Sequence, residues 1–343
     1  MKLWLAQNGN YPRIGDSPAL QVLRRTLAAL DRGEATAADV ERAAQEMTRQ
    51  ALADQLAAGL DVLTDGQIRW HDPVSHLAGR LAGVRINGLL RFFDTNFYFR
   101  QPVLVEHPVR QQPLLVEEFH TAQRLLAELD GTGHPRVLRA VLTGPYTLAR
   151  LSLAEAAAMQ PLDRRVQAYA EALAAEVEAL AAAGARQIQV DEPAILFYPE
   201  DWPVFAAAIE RLATARQAAA AAGHPTEVVL YVYFRDCSPL YERLAALPVD
   251  GLGLDFTYGE RLADCVIGSG SRLPLAFGLL DGRNTRLEEP AAIARQLERL
   301  LPAVRADHCW LGCSCGLEYL PRDRARAKLE LLGKIRALVA GTR

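Results

Sequence analysis

Short apolar runs rich in Val, Leu and Ile alternate along the chain with longer Ala-, Leu- and Arg-rich stretches whose apolar residues recur at helical spacing. That alternation is the pattern of βα units around a parallel sheet. It predicts strands over about 2–8, 59–65, 136–143, 185–191, 227–234, 249–256, 273–280 and 307–313. It predicts helices over about 17–30, 37–58, 117–130, 161–184, 203–222, 238–246, 288–302 and 321–340. Eight strands with interleaved helices point to an α/β protein, a (β/α)8 TIM barrel filling residues 1–343 as a single catalytic domain. An open dinucleotide-binding sheet is disfavoured, because no G-x-G-x-x-G opens a helix after the first strand. Residues 84–116 break the alternation and read as a β-hairpin insertion after the second strand. It could cover the barrel mouth or be a plain edge hairpin.

Composition narrows the function classes. The 343 residues are 50% hydrophobic and 23% charged, an ordinary globular balance. A net charge of −3 gives no footprint for nucleic acid, and no apolar run could cross a bilayer. The start, Met1 to Gly9, is too short and too soon polar for a signal peptide, so a cytoplasmic protein is expected. Five cysteines suit a reducing compartment, where clustered thiols are metal ligands or buried groups rather than a disulfide framework.

In such a barrel the residues just beyond each strand face the catalytic end. Here they are Asn8-Gly9-Asn10, Asp65-Gly66-Gln67, Thr143-Gly144-Pro145, Asp191-Glu192-Pro193, Tyr231-Val232-Tyr233, Asp255, Asp281-Gly282-Arg283 and Cys313-Ser314-Cys315. Any one Asp or Asn at such a place could cap the next helix; acids at so many of them point to a reaction centre. Cys313 and Cys315 are two residues apart and should share a face, with Cys309 in phase. Cys309 reads as a small core residue. Cys313 and Cys315 with Asp255 could hold a borderline-soft ion such as zinc. No His pair has ligand spacing, although His71 and His76 lie close beyond the second strand. Neither a G-x-S-x-G elbow nor a P-loop occurs.

Three segments carry a resemblance: Val141-Leu142-Thr143-Gly144-Pro145, Gln187 to Ala194 with its Gln-Val-Asp-Glu-Pro core, and Cys315-Gly316-Leu317. They resemble the catalytic barrel of cobalamin-independent methionine synthase, in its short stand-alone form. Gly9 to Arg13 and Gly59 to Gly66 are similar to that family's first two strand ends, and the order is kept from about residue 8 to 335. The resemblance implies methyl transfer to the thiol of homocysteine or a similar small thiol, activated by zinc. It places Asp191 on the substrate ammonium, with Gly9, Asn10 and Gln67 around the carboxylate. Asp255 and Cys315 fall on metal-ligand positions, to which Cys313 or Cys237 could be added.

The remaining family ligands, a histidine and a cysteine, fall on Tyr231 and Tyr233, and Arg283 replaces a proton-passing histidine. Tyr231, Tyr233 and Arg283 are therefore candidate catalytic residues. A phenolate would suit iron better than zinc. Three readings follow: a methyltransferase with a rearranged metal site, a relative doing other sulfur or oxidative chemistry with the two tyrosines, and a non-catalytic amino-acid or thiol binder. The methyl donor implied is a methyl-folate or a methyl-corrinoid protein, with no nucleic acid or membrane partner.

Overall fold

The protein is described from a computed structural model covering residues 1–131 and 133–341. Its parallel strands are β1 (Lys2–Leu5), β2 (Val62–Leu63), β5 (Val137–Thr143), β7 (Gln187–Asp191), β8 (Glu227–Val232), β9 (Gly251–Asp255), β10 (Leu275–Leu280) and β11 (His308–Cys313). They form one eight-stranded sheet in the order β1-β11-β10-β9-β8-β7-β5-β2. Its two ends meet where the Asp61 amide donates to the Leu5 carbonyl (2.9 Å) and the Gln7 amide to that of Val62 (3.0 Å). This is the barrel that the eight apolar runs predict.

Between β2 and β5 lie β3 (Ala82–Arg91) and β4 (Tyr98–Val109), an antiparallel pair to which the short β6 (Leu153–Ala154) adds in parallel. The helices are α1 (Val22–Asp31), α2 (Ala37–Ala57), α3 (Ser75–Ala78), α4 (Val116–Leu129), α5 (Pro145–Leu151), α6 (Leu162–Ala182), α7 (Trp202–Ala221), α8 (Tyr241–Ala245), α9 (Leu262–Ser269), α10 (Pro290–Leu300) and α11 (Arg322–Gly341). The short α3, α5 and α9 have too few turns to show a helical period and were not expected. Local signals set the longer ones. Thr36 and Asp39 form a reciprocal capping box that starts α2, and Glu289 caps α10 just ahead of Pro290.

The strands sort their side chains by alternation. On β7, Ile188 and Val190 are apolar, while Gln187, Gln189 and Asp191 take the alternate places. Those alternate places face the barrel axis. Arg139 on β5 bonds Gln187 Oε1 and lies 5.3 Å from the ring of Trp310 on β11, a non-neighbouring strand, so the contact runs through the interior. The axis is thus polar and the space between sheet and helices apolar. The polar lining leads up to the C-terminal ends of the strands.

Candidate active site

Asp191 ends β7 and is buried. Gln189 Nε2 donates to its Oδ1 at 2.8 Å, and the Tyr233 hydroxyl also bonds the carboxylate. Burial nevertheless pushes the Asp191 carboxyl up to about 7, against the lowering effect of those bonds and of Arg139. Gly9 lies across from it. A methyl group at Gly9 would sit 3.4 Å from Gln67 Oε1 and 3.6 Å from Asp191 Oδ2, so Gly9, Gln67 and Asp191 enclose one small polar space. Gly9 itself has φ +65°, a backbone state that glycine adopts without strain. Gln67 takes φ 52° without that freedom, its amide donating to Asp65 Oδ1 at 2.9 Å. Asn10 closes the outer side: its carbonyl accepts from the Leu317 amide (2.8 Å) and its Oδ1 from the Glu318 amide (3.2 Å). Three of the four residues expected around a substrate amino acid, Gly9, Gln67 and Asp191, are therefore gathered together, while the Asn10 side chain is turned to Gly316 and Glu318.

Glu192, next to Asp191, has a different task. Its carboxylate accepts from the amides of Tyr146 (2.9 Å) and Thr147 (2.7 Å) at the start of α5 and from the Thr147 hydroxyl (2.6 Å). It fixes the loop after β5 and leaves Asp191 as the acid facing the space.

The opposite side is built from β8 to β11. Tyr231 and Tyr233 are both buried. The Tyr231 hydroxyl accepts from Arg139 Nη1 at 2.7 Å, deep in the barrel, whereas Tyr233 is turned to Asp191, with Tyr319 and Cys315 as its next polar neighbours. Burial, and after it the Asp191 carboxylate, hold the Tyr233 phenol far above its ordinary range. Asp255 accepts from the Thr257 amide (2.9 Å) and hydroxyl (2.6 Å) at Oδ1, and from the Phe234 amide (3.2 Å) at Oδ2. Cys315 Sγ lies 3.4 Å from the Gly316 carbonyl and close against Gly282. Burial, then the Asp255 charge, keeps it a neutral thiol.

Cys313 departs from expectation. It is the last residue of β11 and stays in phase with Leu311 and Cys309, on the face away from the inward-pointing Trp310. Its charged neighbours are Lys328 on α11 and Glu288, and burial raises it to about 12. The strand stops at Cys313, so its two-residue period does not carry on to Cys315, and the thiols do not share a face.

Segment β3–β4 lies over these residues. Phe92 is 6.1 Å from Phe234, Phe93 is 4.7 Å from Phe197, and Phe97 is 5.0 Å from Tyr319. Arg283 Nη1 donates to Asp94 Oδ1 at 3.0 Å, and its guanidinium lies 5.2 Å from the Phe234 ring and 5.3 Å from that of Tyr258. Phe93 (φ 51°) and Phe234 (φ 78°) join Gln67 as the non-glycine residues with left-handed backbones among the described residues. All three stand around the mouth, where surrounding packing must hold such conformations. Composition gave no sign of them. Arg139 and Gln189 were also missed, although a lone arginine inside the run 137–143 is a visible signal.

Across residues 12–337 the chain matches the family described as "Cobalamin-independent synthase, Catalytic domain". The chain belongs to this family. A methionine synthase from Sulfurisphaera tokodaii is 31% identical over 320 residues, covering 92% of this chain and 88% of that protein. One from Sulfolobus acidocaldarius is 29% identical over the same shares. Among solved structures, a B12-independent methionine synthase from Shewanella sp. W3-18-1, in complex with selenomethionine, superposes with a TM-score of 0.79 at 18% identity, covering 100% of this chain and 99% of that one. That likeness bears on the fold.

The zinc set that this synthase family implies can be tested on the donors present, and they do not fit it. Tyr231 is engaged by a buried guanidinium, Tyr233 by Asp191, and Cys313 faces the helices. Asp255 and Cys315 are left as neighbours, and Cys237, the other thiol expected near Asp255, is buried with its thiol pushed up by desolvation and does not complete a ligand set with them. Among the described residues no group of three His, Cys, Asp or Glu could hold a metal ion.

Proposed function

We propose that the chain is an S-methyltransferase that takes a small α-amino acid bearing a thiol, homocysteine or a close analogue, into the mouth of the barrel. The observation that carries this reading is the convergence of Gly9, Gln67 and Asp191 on one enclosed space. A buried carboxylate pushed to about 7 feels Arg139 only at a distance and has no cation in direct contact among the described residues, and a substrate ammonium supplies one. Gln67 and the Gly9–Asn10 turn take the carboxylate end. The side chain then points towards Tyr233, Cys315 and the floor.

In the reaction the thiol loses its proton to solvent, from which a folate donor's leaving nitrogen takes one up, and a sulfur lone pair forms the new bond to the methyl carbon. The bond from methyl to donor breaks, and its electron pair stays on the donor atom. A methyl-folate or a methyl-corrinoid protein has the chemistry for that role. Arg283, set between Phe234 and Tyr258 under segment β3–β4, orients the donor at the rim. The contact between Tyr233 and Asp191 favours one second reading, acid–base chemistry on a sulfur substrate with Tyr233 as the acid.

The test combines binding and turnover. Wild-type protein should bind L-homocysteine in calorimetry and form methionine, detected by mass, from an isotopically labelled methyl donor. Failure to bind the amino acid removes the proposal. Stoichiometric zinc or iron in protein purified without added metal, lost on Cys315→Ser, would restore a metal-assisted version of it.

A further inference from the structure

The residues at the reaction centre are closed off from solvent. Gln67, Asp191, Tyr233 and Cys315 are between 1% and 8% exposed, so no amino acid reaches them while what covers them stays in place. The cover is the tip of the β3–β4 hairpin, residues 89–99. Phe93 packs on Phe197 and Phe97 on Tyr319, and Phe92 and Phe93 both meet Phe234, at 6.1 and 5.9 Å. A site that exchanges ligands must open, and this element stands in the way.

The hairpin is built in two parts. At its root Val84, Arg85 and Ile86 pair with Leu104, Val103 and Pro102, and β6 adds a third strand along Val103 and Leu104, both buried. Pairing then slips. Leu89 opposes Arg100, so Asn87 and Gly88 face Gln101 alone, a bulge where the ladder is disrupted and the strand bends. Beyond it the tip has two strands, with Leu89 and Tyr98 exposed. The tip is tied to itself. The Phe92 amide donates to the Phe97 carbonyl (2.8 Å), the Thr95 hydroxyl to the Phe92 carbonyl (2.6 Å) and Arg91 Nε to the Thr95 carbonyl (2.6 Å). Among the described residues one polar bond joins 89–99 to the barrel, from Arg283 Nη1 to Asp94 Oδ1, and the Asp94 side chain is 56% exposed. A pair so open to water is a weak hold. Phe93 and Phe234, whose rings meet in the closing contact, both carry left-handed backbones that packing must maintain.

We infer that residues 89–99 form a lid that swings as one body about the bulge at Asn87–Gly88, latched by Asp94–Arg283, and that the buried floor is reached only when it lifts. What passes under it, an amino acid, rests on the reading above. An internally bonded tip, a break in the ladder at its base, a weak latch and a buried floor are together what a gate requires. A hairpin that merely finished the edge of the fold would need none of them.

Two native thiols report on the lid without any ligand. Cys315 lies beneath it, whereas Cys313 lies in the wall against α11. Their rates of modification by methyl methanethiosulfonate, a small uncharged reagent, are followed separately by fragment-ion mass spectrometry. Asp94→Asn removes the latch charge without leaving a hole, and should speed Cys315 about two- to fivefold while Cys313 is unchanged. Raising salt to about 1 M should do the same to wild type and add nothing to Asp94→Asn. A methyl group at Gly88 would meet no atom within 4 Å, so Gly88→Val stiffens the bulge with room to spare and should slow Cys315. A Cys315 rate indifferent to the latch or to the hinge overturns the inference, as does one that rises only together with that of Cys313. Saturating L-methionine, the thioether product, should protect Cys315 in wild type. Lid responses without that protection would remove the amino-acid-binding reading and leave the lid standing.

Discussion

The two sides of the barrel mouth are made from the same material, polar residues at the ends of parallel strands, and they have been put to different uses. On the β1–β2–β7 side, Gly9, Gln67 and Asp191 surround one space, and what surrounds them supports that shape: Glu192 ties down α5, and Gln189 orients Asp191. On the β8–β11 side the candidate donors are dispersed. Tyr231 turns down to Arg139, Asp255 anchors the loops carrying Phe234 and Thr257, and Cys313 lies under α11. On the proposed reading, a substrate-holding half persists while an activating half is rebuilt, because holding an ammonium needs one carboxylate and activating a thiol by metal needs several donors at a common point.

The largest effect should come from the side that is intact. Asp191→Asn replaces a buried carboxylate by a neutral group of the same shape, and should weaken amino-acid binding by about a hundredfold or more in calorimetry, the usual scale for breaking a desolvated charge pair. A change under about threefold would mean that the ammonium is held elsewhere, and the contrast between the sides would vanish.

A pH series sharpens the same point. The free protein holds Asp191 near 7, and an ammonium binds only the ionised carboxylate. Affinity should therefore fall about tenfold per pH unit below 7 and level off above it, and Asp191→Asn should flatten the slope. Stability has the opposite sign. A raised carboxyl stabilises the folded state most below the unfolded carboxylate range, and that contribution is lost as pH rises through about 7. Ligand-free protein should accordingly lose stability over this window, and bound amino acid should restore it, as followed by thermal melts.

A smaller effect is expected at the rim. Asp94→Ala removes the Arg283 partner on segment β3–β4, an ion pair with one half-exposed member. Such pairs contribute about 0–1 kcal/mol, so global stability should scarcely move. If Arg283 orients the donor, KM for the donor should rise a few-fold while binding of the amino acid stays constant. A rise in the dissociation constant of the amino acid instead would show that the two sides of the mouth are not independent.

Much of this layout was legible in the chain because alternation is a local property. The eight apolar runs gave the strands, and their polar ends gave Gly9, Gln67, Asp191 and Asp255 places at one end of the barrel. What could not be read are relations between distant positions. Nothing local says that Gly144 must lack a side chain because a methyl group there would lie 2.2 Å from the Glu192 carboxylate. Nor does it say that Tyr231 bonds a guanidinium 92 residues away. The arginine itself was visible inside an apolar strand; its partner was not. Short α5 lacks the length for a helical period, and Phe93 and Phe234 take left-handed backbones that only tertiary packing explains.

The cysteines supply the finest test of the contrast, because the expected result at one of them is very small. Cys313 is buried between β11 and α11, beside Lys328, and contributes packing rather than chemistry. Cys313→Ala should cost about 1 kcal/mol in urea unfolding, the scale of a small cavity, with no change in zinc content or in homocysteine affinity. Cys315→Ala removes a thiol beside Asp255 and Tyr233, and should alter homocysteine affinity measurably while costing similar stability. Cysteines two residues apart would then behave differently because the strand ends between them, leaving one in the wall and the other at the mouth. Parallel loss of ligand binding in both variants would restore the pair as a functional unit and would require Cys313 to turn inward when the site is filled.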